Sequence, residues 1–240
     1  MKYLLLIILL FSELTFASIG VISSFKGSVQ IQRASQNIKA TLGLQIQKND
    51  IINTRENSNT IIKFKDNTII TIGKNSTLSI EEYIYDNKNT INSKTKFNFL
   101  KGTFKSVTGI IGKIHPEKFK LLTKTATLGI RGTTIIANQE IVACTSGEIS
   151  VSTKNKTMNL SQNQYTNTLN RSKTPLILND EILKVLYAGL AIDIYKKSNS
   201  KKDEKLILLE EGLNEASEEL DHDTNQGFPE SDGDSGGGAN

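Results

Sequence analysis

The chain is nearly empty of the residues on which most enzymes and metal proteins rely. Its 240 residues hold one cysteine, two histidines and no tryptophan. A lone cysteine, Cys144, excludes an intramolecular disulfide, so the fold is held by packing alone. It ends the apolar stretch Ile141-Val142-Ala143, where a buried and inert thiol is expected. The histidines, His115 beside Pro116 and His222 far downstream, are too few for a His/Cys metal centre. No nucleophile is paired with a base, and no cofactor-binding pattern is present. Glu81 and Glu82 are adjacent, so on a strand they are expected to face opposite ways and not to cooperate in sugar hydrolysis. The absence of tryptophan also removes the best stacking platform for sugars. The expectation is a protein that is not an enzyme.

Long apolar runs are equally scarce. The longest, Tyr3 to Phe11, follows Lys2 and precedes Thr15-Phe16-Ala17. A positive start, a short apolar stretch and small residues at the cleavage-defining positions predict a secretory signal peptide over residues 1–17, cut after Ala17. A spanning helix needs roughly 20 apolar residues, and Ser12 and Glu13 end this run early. The later candidate, Ile182 to Ile194, is broken by Gly189 and Asp193. The mature protein is therefore expected in the periplasm, or otherwise exported.

The net charge of +4 conceals an imbalance. Residues 1–200 carry 26 Lys/Arg against 13 Asp/Glu, while residues 201–240 carry 3 against 12. A basic body could attract cell-wall glycan, lipopolysaccharide or another anionic envelope polymer. The lysines are scattered, however, which favours the simpler role of keeping strand edges apart. Nucleic acid is not expected as a partner, since export removes the usual target and no aromatic-basic stacking motif occurs.

Turn residues recur at short intervals from residue 18 to residue 175, separating alternating apolar runs such as Val29-x-Ile31 and Leu78-x-Ile80. Thr60 to Ile72, TIIKFKDNTIITI, reads as a hairpin with its turn at Asp66-Asn67, residues that tolerate left-handed backbone. Residues 86–96 read as loop. Gly109 and Gly112 flank an expected tight bend, and Thr133 to Ala143 reads as one strand. The pattern predicts an all-β domain, a β-solenoid or β-sandwich of short strands. Beyond Pro175 the period changes. Asp180 is a candidate cap for a helix carrying Ile182, Leu183, Val185, Leu186, Leu190 and Ile194, ending near Lys196-Lys197. This helix should dock on the β domain. A second helix is expected from Asp203 to about Leu220, completing a helical segment over 176–220. Residues 221–240 form an acidic Gly/Asp-rich tail expected to be disordered. Its Asp221-x-Asp223-x-Asn225 spacing falls short of a calcium loop, because the glycine comes one position late and Asp232 stands twelfth.

The richest stretch is Phe119 to Ala137, FKLLTKTATLGIRGTTIIA. Its β-branched residues predict paired strands joined where Gly129 and Gly132 allow close approach, with Arg131 partly buried and tying neighbouring strands together. With GSVQIQR (27–33), KNDIINT (48–54), FKDNTIITI (64–72) and NSTLSI (75–80), it resembles the FecR domain family over about residues 20–150. The family motif falls here on Asp50, Thr54, Asp66, Thr125, Arg131, Gly132 and Thr133, with Asn49 where the family has glycine; a structural role is expected for all seven.

Regulators of this family have a cytoplasmic sigma-factor-binding segment, a transmembrane helix and this module in the periplasm. The leader expected here occupies the place of the first two. The resemblance therefore implies an exported module with no direct sigma-factor contact. Its expected role is protein–protein interaction in envelope signalling, with another envelope or inner-membrane signalling protein as partner. The alternative is a binding module for cell-wall glycan or another anionic envelope polymer.

Overall fold

Polar–apolar alternation, interrupted by asparagines and glycines, dictates strands short enough to turn often. The computed structural model describes residues 17–169 and 174–192, all within one compact unit, Met1–Lys197. The expected leader, the helix at 203–220, the acidic tail, Ile194 and Lys196-Lys197 lie outside the described residues. In chain order the strands are β1 (Gly20–Lys26), β2 (Val29–Arg33), β3 (Gln36–Lys39), β4 (Gln45–Ile46), β5 (Ile51–Thr54), β6 (Asn59–Phe64), β7 (Ile69–Ile72) and β8 (Thr77–Ile84). They continue with β9 (Lys94–Lys101), β10 (Phe104–Val107), β11 (Phe119–Leu122), β12 (Thr127–Ala137), β13 (Ile141–Ser152), β14 (Thr157–Ser161), β15 (Gln164–Asn167) and β16 (Leu176–Ile177). Asparagine performs several of the turns: Asn49, Asn57, Asn67, Asn75 and Asn163 all have positive φ, a conformation that its short polar side chain tolerates.

All these strands belong to one hydrogen-bonded sheet, ordered β3-β2-β5-β8-β9-β11-β12-β10-β7-β6-β1-β4, with β13 on the far side of β12. The key strand is β12. Its first residues, Thr127–Gly129, pair with β11, whereas Thr134–Ala137 pair with β10. Strand β13 divides in the same way, using Glu148–Ser152 for β14 and Ile141–Cys144 for β15. Both strands break register between Arg131 and Thr134. There Gly132 (φ +57°) and Gly147 (φ +75°) take left-handed backbone, and such bulges bend a strand and increase its twist. The two arms of the sheet consequently curl around one core.

Phe64 meets Phe97 at a ring-centroid distance of 4.8 Å, and Phe99 stacks on Phe104 at 3.5 Å. Each pair joins one arm to the other. Ile22, Ile62, Ile70 and Ile72 pack in the same cluster as Ile31, Ile52, Leu78 and Ile80. Full burial of such a side chain stabilises the fold by about 1.5–3 kcal/mol, so the core, with no disulfide, holds the arms together. The ends of the sheet path, β3 and β4, are consecutive in the chain, which nearly closes the curl. The expected all-β fold is thus present as a sandwich-like curled sheet.

Local expectations fared unevenly. The hairpin at Asp66-Asn67 forms as expected, and only Asn67 is left-handed (φ +64°). The run 133–143 is two strands, since the chain reverses at Asn138–Glu140. The strands of the Phe119–Ala137 stretch are joined at Thr123–Ala126, not at the glycines, which lie inside β12. In the 86–96 stretch, a 3₁₀ turn at Thr90–Asn92 and the start of β9 replace a uniform loop.

The expected bend at Gly109 is instead the cap of a short helix, α1 (Ile110–Ile114). A Cβ on Gly109 would lie 2.2 Å from the Asp66 carbonyl oxygen, so only glycine lets this helix start against the β6–β7 turn. The second helix, α2 (Asp180–Gly189), is capped by Asn179, whose side chain accepts from the Ile182 N–H at 3.0 Å; Asp180 is its first helical residue, not its cap. The helix docks as expected. Leu186 and Leu190 are buried, the Lys74 N–H donates to the Gly189 carbonyl at 2.9 Å, and Asn59 Nδ2 donates to that of Leu190 at 3.3 Å. Among the described residues, no helix is long and apolar enough to cross a membrane.

Candidate functional site

Turn chemistry places Asp66 where its backbone ends one hairpin while its carboxylate points inward. The buried carboxylate accepts from Tyr83 Oη at 2.9 Å, Thr68 Oγ1 at 2.7 Å, the Thr68 N–H at 3.2 Å and the Ile111 N–H at 3.4 Å. The Tyr83 hydroxyl in turn accepts from the Asp66 N–H at 3.0 Å. Such donors compensate the loss of water around a buried charge. Burial first, and then the neighbouring carboxylate, push the Tyr83 phenol well above its ordinary pKa. Asp66 therefore joins the β6–β7 turn, β8 and the start of α1.

Asp50 and Thr54 hold the opposite arm. Arg33 grips buried Asp50 with two bonds, Nε to Oδ1 at 2.8 Å and Nη2 to Oδ2 at 2.7 Å, and also donates to the Gln45 carbonyl at 2.7 Å. This fork links β2, β4 and β5, the planar bidentate geometry for which arginine is suited. Thr54 Oγ1 donates to the Gly73 carbonyl at 2.5 Å and accepts from the Ser76 N–H at 2.9 Å. Thr125 Oγ1 donates to the Gln139 carbonyl at 2.7 Å and accepts from Thr168 Oγ1 at 2.8 Å, tying two turns together.

The Arg131-Gly132-Thr133 segment divides by task. Thr133 is buried, and Thr108 Oγ1 donates to its carbonyl at 2.8 Å while accepting from its N–H at 3.2 Å. Gly132 supplies the left-handed turn of the bulge, and its carbonyl would lie 2.6 Å from a Cβ on Gly147. Arg131 was expected to be partly buried, but it is exposed. It stands in register with Glu148 and makes no side-chain hydrogen bond or ion pair among the described residues. The reason is the alternation of β12: Leu128 and Ile130 point into the core, so Arg131, the next residue, points out. Six of the seven motif residues thus serve the framework.

Among the described residues, no nucleophile is paired with a base around them. Cys144 is buried; its sulfur faces the Ser146 and Gly147 carbonyls at 3.3 Å, and burial pushes the thiol up to about 11. A thiol so shifted is mostly protonated at neutral pH and is a poor nucleophile. His115 lies 3.3 Å from Thr90 Oγ1. Glu81 and Glu82 do not face opposite ways as expected. A bulge between Ile80 and Glu82 places both on the outer face, where Glu81 pairs with Lys96 at 2.7 Å and Glu82 with Lys94 at 2.6 Å. Those lysines hold both carboxyls below the usual range. No group of three or more His, Cys, Asp or Glu among the described residues could hold a metal.

One face combines exposed apolar and basic groups, and sequence reasoning missed it. His115 reaches Thr90, Lys118 Nζ donates to the Ile91 carbonyl, and Lys113 Cγ would lie 3.9 Å from a Cβ on Gly132. These links gather the Thr90–Asn92 turn, α1, the following Pro116–Lys118 turn and the Arg131 corner into one surface. Within it Ile91 is 66% exposed and Ile114 54% exposed. Lys113 lies in the last turn of α1, and Lys118 and Glu117 lie in the Pro116–Lys118 turn that follows. The available signal was weak: two isoleucines beside lysines in segments that read as loops.

Comparison with known proteins places this framework. Residues 50–155 match the family described as FecR protein. No curated protein matches the chain. Two crystal structures of a protein designated an anti-sigma factor from Parabacteroides distasonis ATCC 8503, at 1.65 and 2.50 Å, are similar at 14% identity, with TM-scores of 0.42 and 0.43. Each alignment covers 56% of this chain, which spans 62% of the length of those proteins.

Proposed function

From the match of residues 50–155 to the FecR protein family, we propose that this chain is a non-catalytic module of envelope signalling that acts by docking another protein. The partner proposed is another envelope or inner-membrane signalling protein, in keeping with the leader expected at residues 1–17. One observation carries the reading. Arg131 is exposed and its side chain has no intramolecular partner among the described residues, while its neighbour Gly132 abuts Lys113 of the helix that carries exposed Ile114. Apolar anchors ringed by charge are a common interface pattern. Exposed Arg131 calls for a carboxylate on the partner, and exposed Ile91 and Ile114 for an apolar patch.

A photo-crosslinking residue at Ile114, compared in cells with one at exposed Leu42 on the β3–β4 connection, tests this. The expected result is a discrete adduct from position 114 alone, reduced by Arg131→Glu. The identified partner, once purified, should bind more weakly as salt rises, because exposed charges are screened over about 8 Å at physiological ionic strength. Identical adducts from both positions, or an adduct indifferent to Arg131→Glu, would refute the assignment.

A further inference from the structure

A second feature lies on the arm formed by β2, β5, β8 and β9, apart from the docking face. An open concavity of ≈220 Å³ is walled by Gln30, Asn53, Arg55, Asn75, Thr77 and Lys101. Its floor is Thr54 and Ser76, both buried and fastened: Thr54 Oγ1 bonds the Gly73 carbonyl, and Ser76 Oγ accepts from the Thr103 N–H at 3.1 Å. Gly102 presses on the same point, since a Cβ there would meet Ser76 Oγ at 1.9 Å. The floor is therefore rigid, while the walls present side chains to solvent.

The chemistry of the walls is one-sided. None of the lining residues is acidic or aromatic. Arg55 and Lys101 are exposed and have no side-chain hydrogen bond or ion pair among the described residues. Asn53 Oδ1 accepts from Thr77 Oγ1 at 2.9 Å, which fixes its amide and directs the Nδ2 donors elsewhere. Gln30 and Asn75 add two more amides. Two cations without a carboxylate select an anion. Amides pair a donor with an acceptor, as neighbouring sugar hydroxyls require; a bare phosphate would leave their carbonyls unused. The volume is below the range of about 300–1,000 Å³ typical of pockets for drug-sized ligands, so it suits a single ring.

We propose that this concavity is a binding site for one carboxylate-bearing sugar unit, with Arg55 and Lys101 on the carboxylate and Asn53, Gln30 and Asn75 on the hydroxyls. It goes beyond the docking function and does not depend on it. No aromatic residue supplies a stacking face, so affinity comes from polar contacts alone and is weak for a monosaccharide. The sequence segments KNDIINT and NSTLSI, singled out as framework, here also contribute the walls.

The test is titration of the full-length, isotope-labelled chain with D-glucuronate, D-glucose and inorganic phosphate, followed by amide NMR shifts. The expected result is saturable shifts at residues 53–55, 75–77 and 101 with glucuronate, weaker ones with glucose, and a loss of about tenfold in affinity for Arg55→Gln or Lys101→Gln, the equivalent of one charge-assisted hydrogen bond. Both residues are exposed, and the spectrum itself reports whether a variant is folded. Phosphate moving the same amides as strongly as glucuronate would reduce the site to a general anion site and overturn the sugar assignment. Glucuronate shifts elsewhere, or none, would overturn the site. Arg131→Glu should leave the glucuronate titration unchanged, which separates this inference from the docking proposal.

Discussion

Asp66 and Arg131 are both charged residues of the same family motif, both at places where the chain changes direction, yet they live in opposite worlds. Asp66 is buried and its carboxylate accepts from a phenol, a hydroxyl and two backbone N–H groups. Arg131 is exposed and spends no donor on its own fold among the described residues. The difference teaches that membership of a motif does not assign a task. One charge is compensated inside the protein and holds three elements together; the other is left for solvent or a partner.

The comparison breaks most readily at Asp66. Asp66→Ala would take the acceptor from the Tyr83 and Thr68 hydroxyls and two backbone N–H groups in the core, at a cost of about 1–3 kcal/mol for each group left unsatisfied. A total loss of roughly 3 kcal/mol or more is expected, read as a lower denaturation midpoint in urea. A smaller effect should separate the two glycines of the corner. Gly147→Ala combines left-handed backbone with a Cβ 2.6 Å from the Gly132 carbonyl, so a loss of about 2–3 kcal/mol is expected. A Cβ on Gly132 meets only Lys113 Cγ, at an ordinary contact distance of 3.9 Å, so Gly132→Ala should lose about 1 kcal/mol, the strain alone. Equal losses at the two positions would show that the bulge is not the pinch point described.

The Tyr83–Asp66 pair has a pH signature. The folded phenol is held neutral above its ordinary pKa, while the unfolded phenol ionises near about 10. Above that value the unfolded chain binds fewer protons, so this contribution is complete below about pH 10 and falls by about 1.4 kcal/mol per unit as pH rises. In Tyr83→Phe the alkaline limb should lose that component, though the variant is less stable at neutral pH. The smallest effect belongs to Arg131→Ala. An exposed side chain without internal bonds should change stability by less than about 0.5 kcal/mol. A loss comparable to that of Asp66→Ala would return Arg131 to the framework.

Much of this arrangement was legible residue by residue. Alternation around Val29-Ile31 and Leu78-Ile80, and the Asp66-Asn67 turn, follow from local backbone preference, so their strands and hairpin formed as read. The same reasoning failed where one segment depends on another. Helix α1 exists because Asp66, distant in sequence, receives its first N–H groups; five residues have too little helical preference to form alone. Glu81 and Glu82 share a face only because a bulge against β9 resets the alternation. Arg131 read as partly buried because its neighbours are apolar, and the structure shows it on the outer face of β12, next to buried Ile130. The concavity is still less visible, since its walls come from β2, β5, β8 and β9 together.

What the sequence determined by itself is the class of fold and the family framework. Strand periodicity, turn-forming asparagines and the motif spacing are local, and local preferences survive without knowledge of partners. Tertiary structure alone decided which motif residues are hidden and which are offered. That outcome depends on the joint bend at Gly132 and Gly147 and on the register of β12 between two arms. Exposure belongs to the pairing of distant strands, and no single segment contains it.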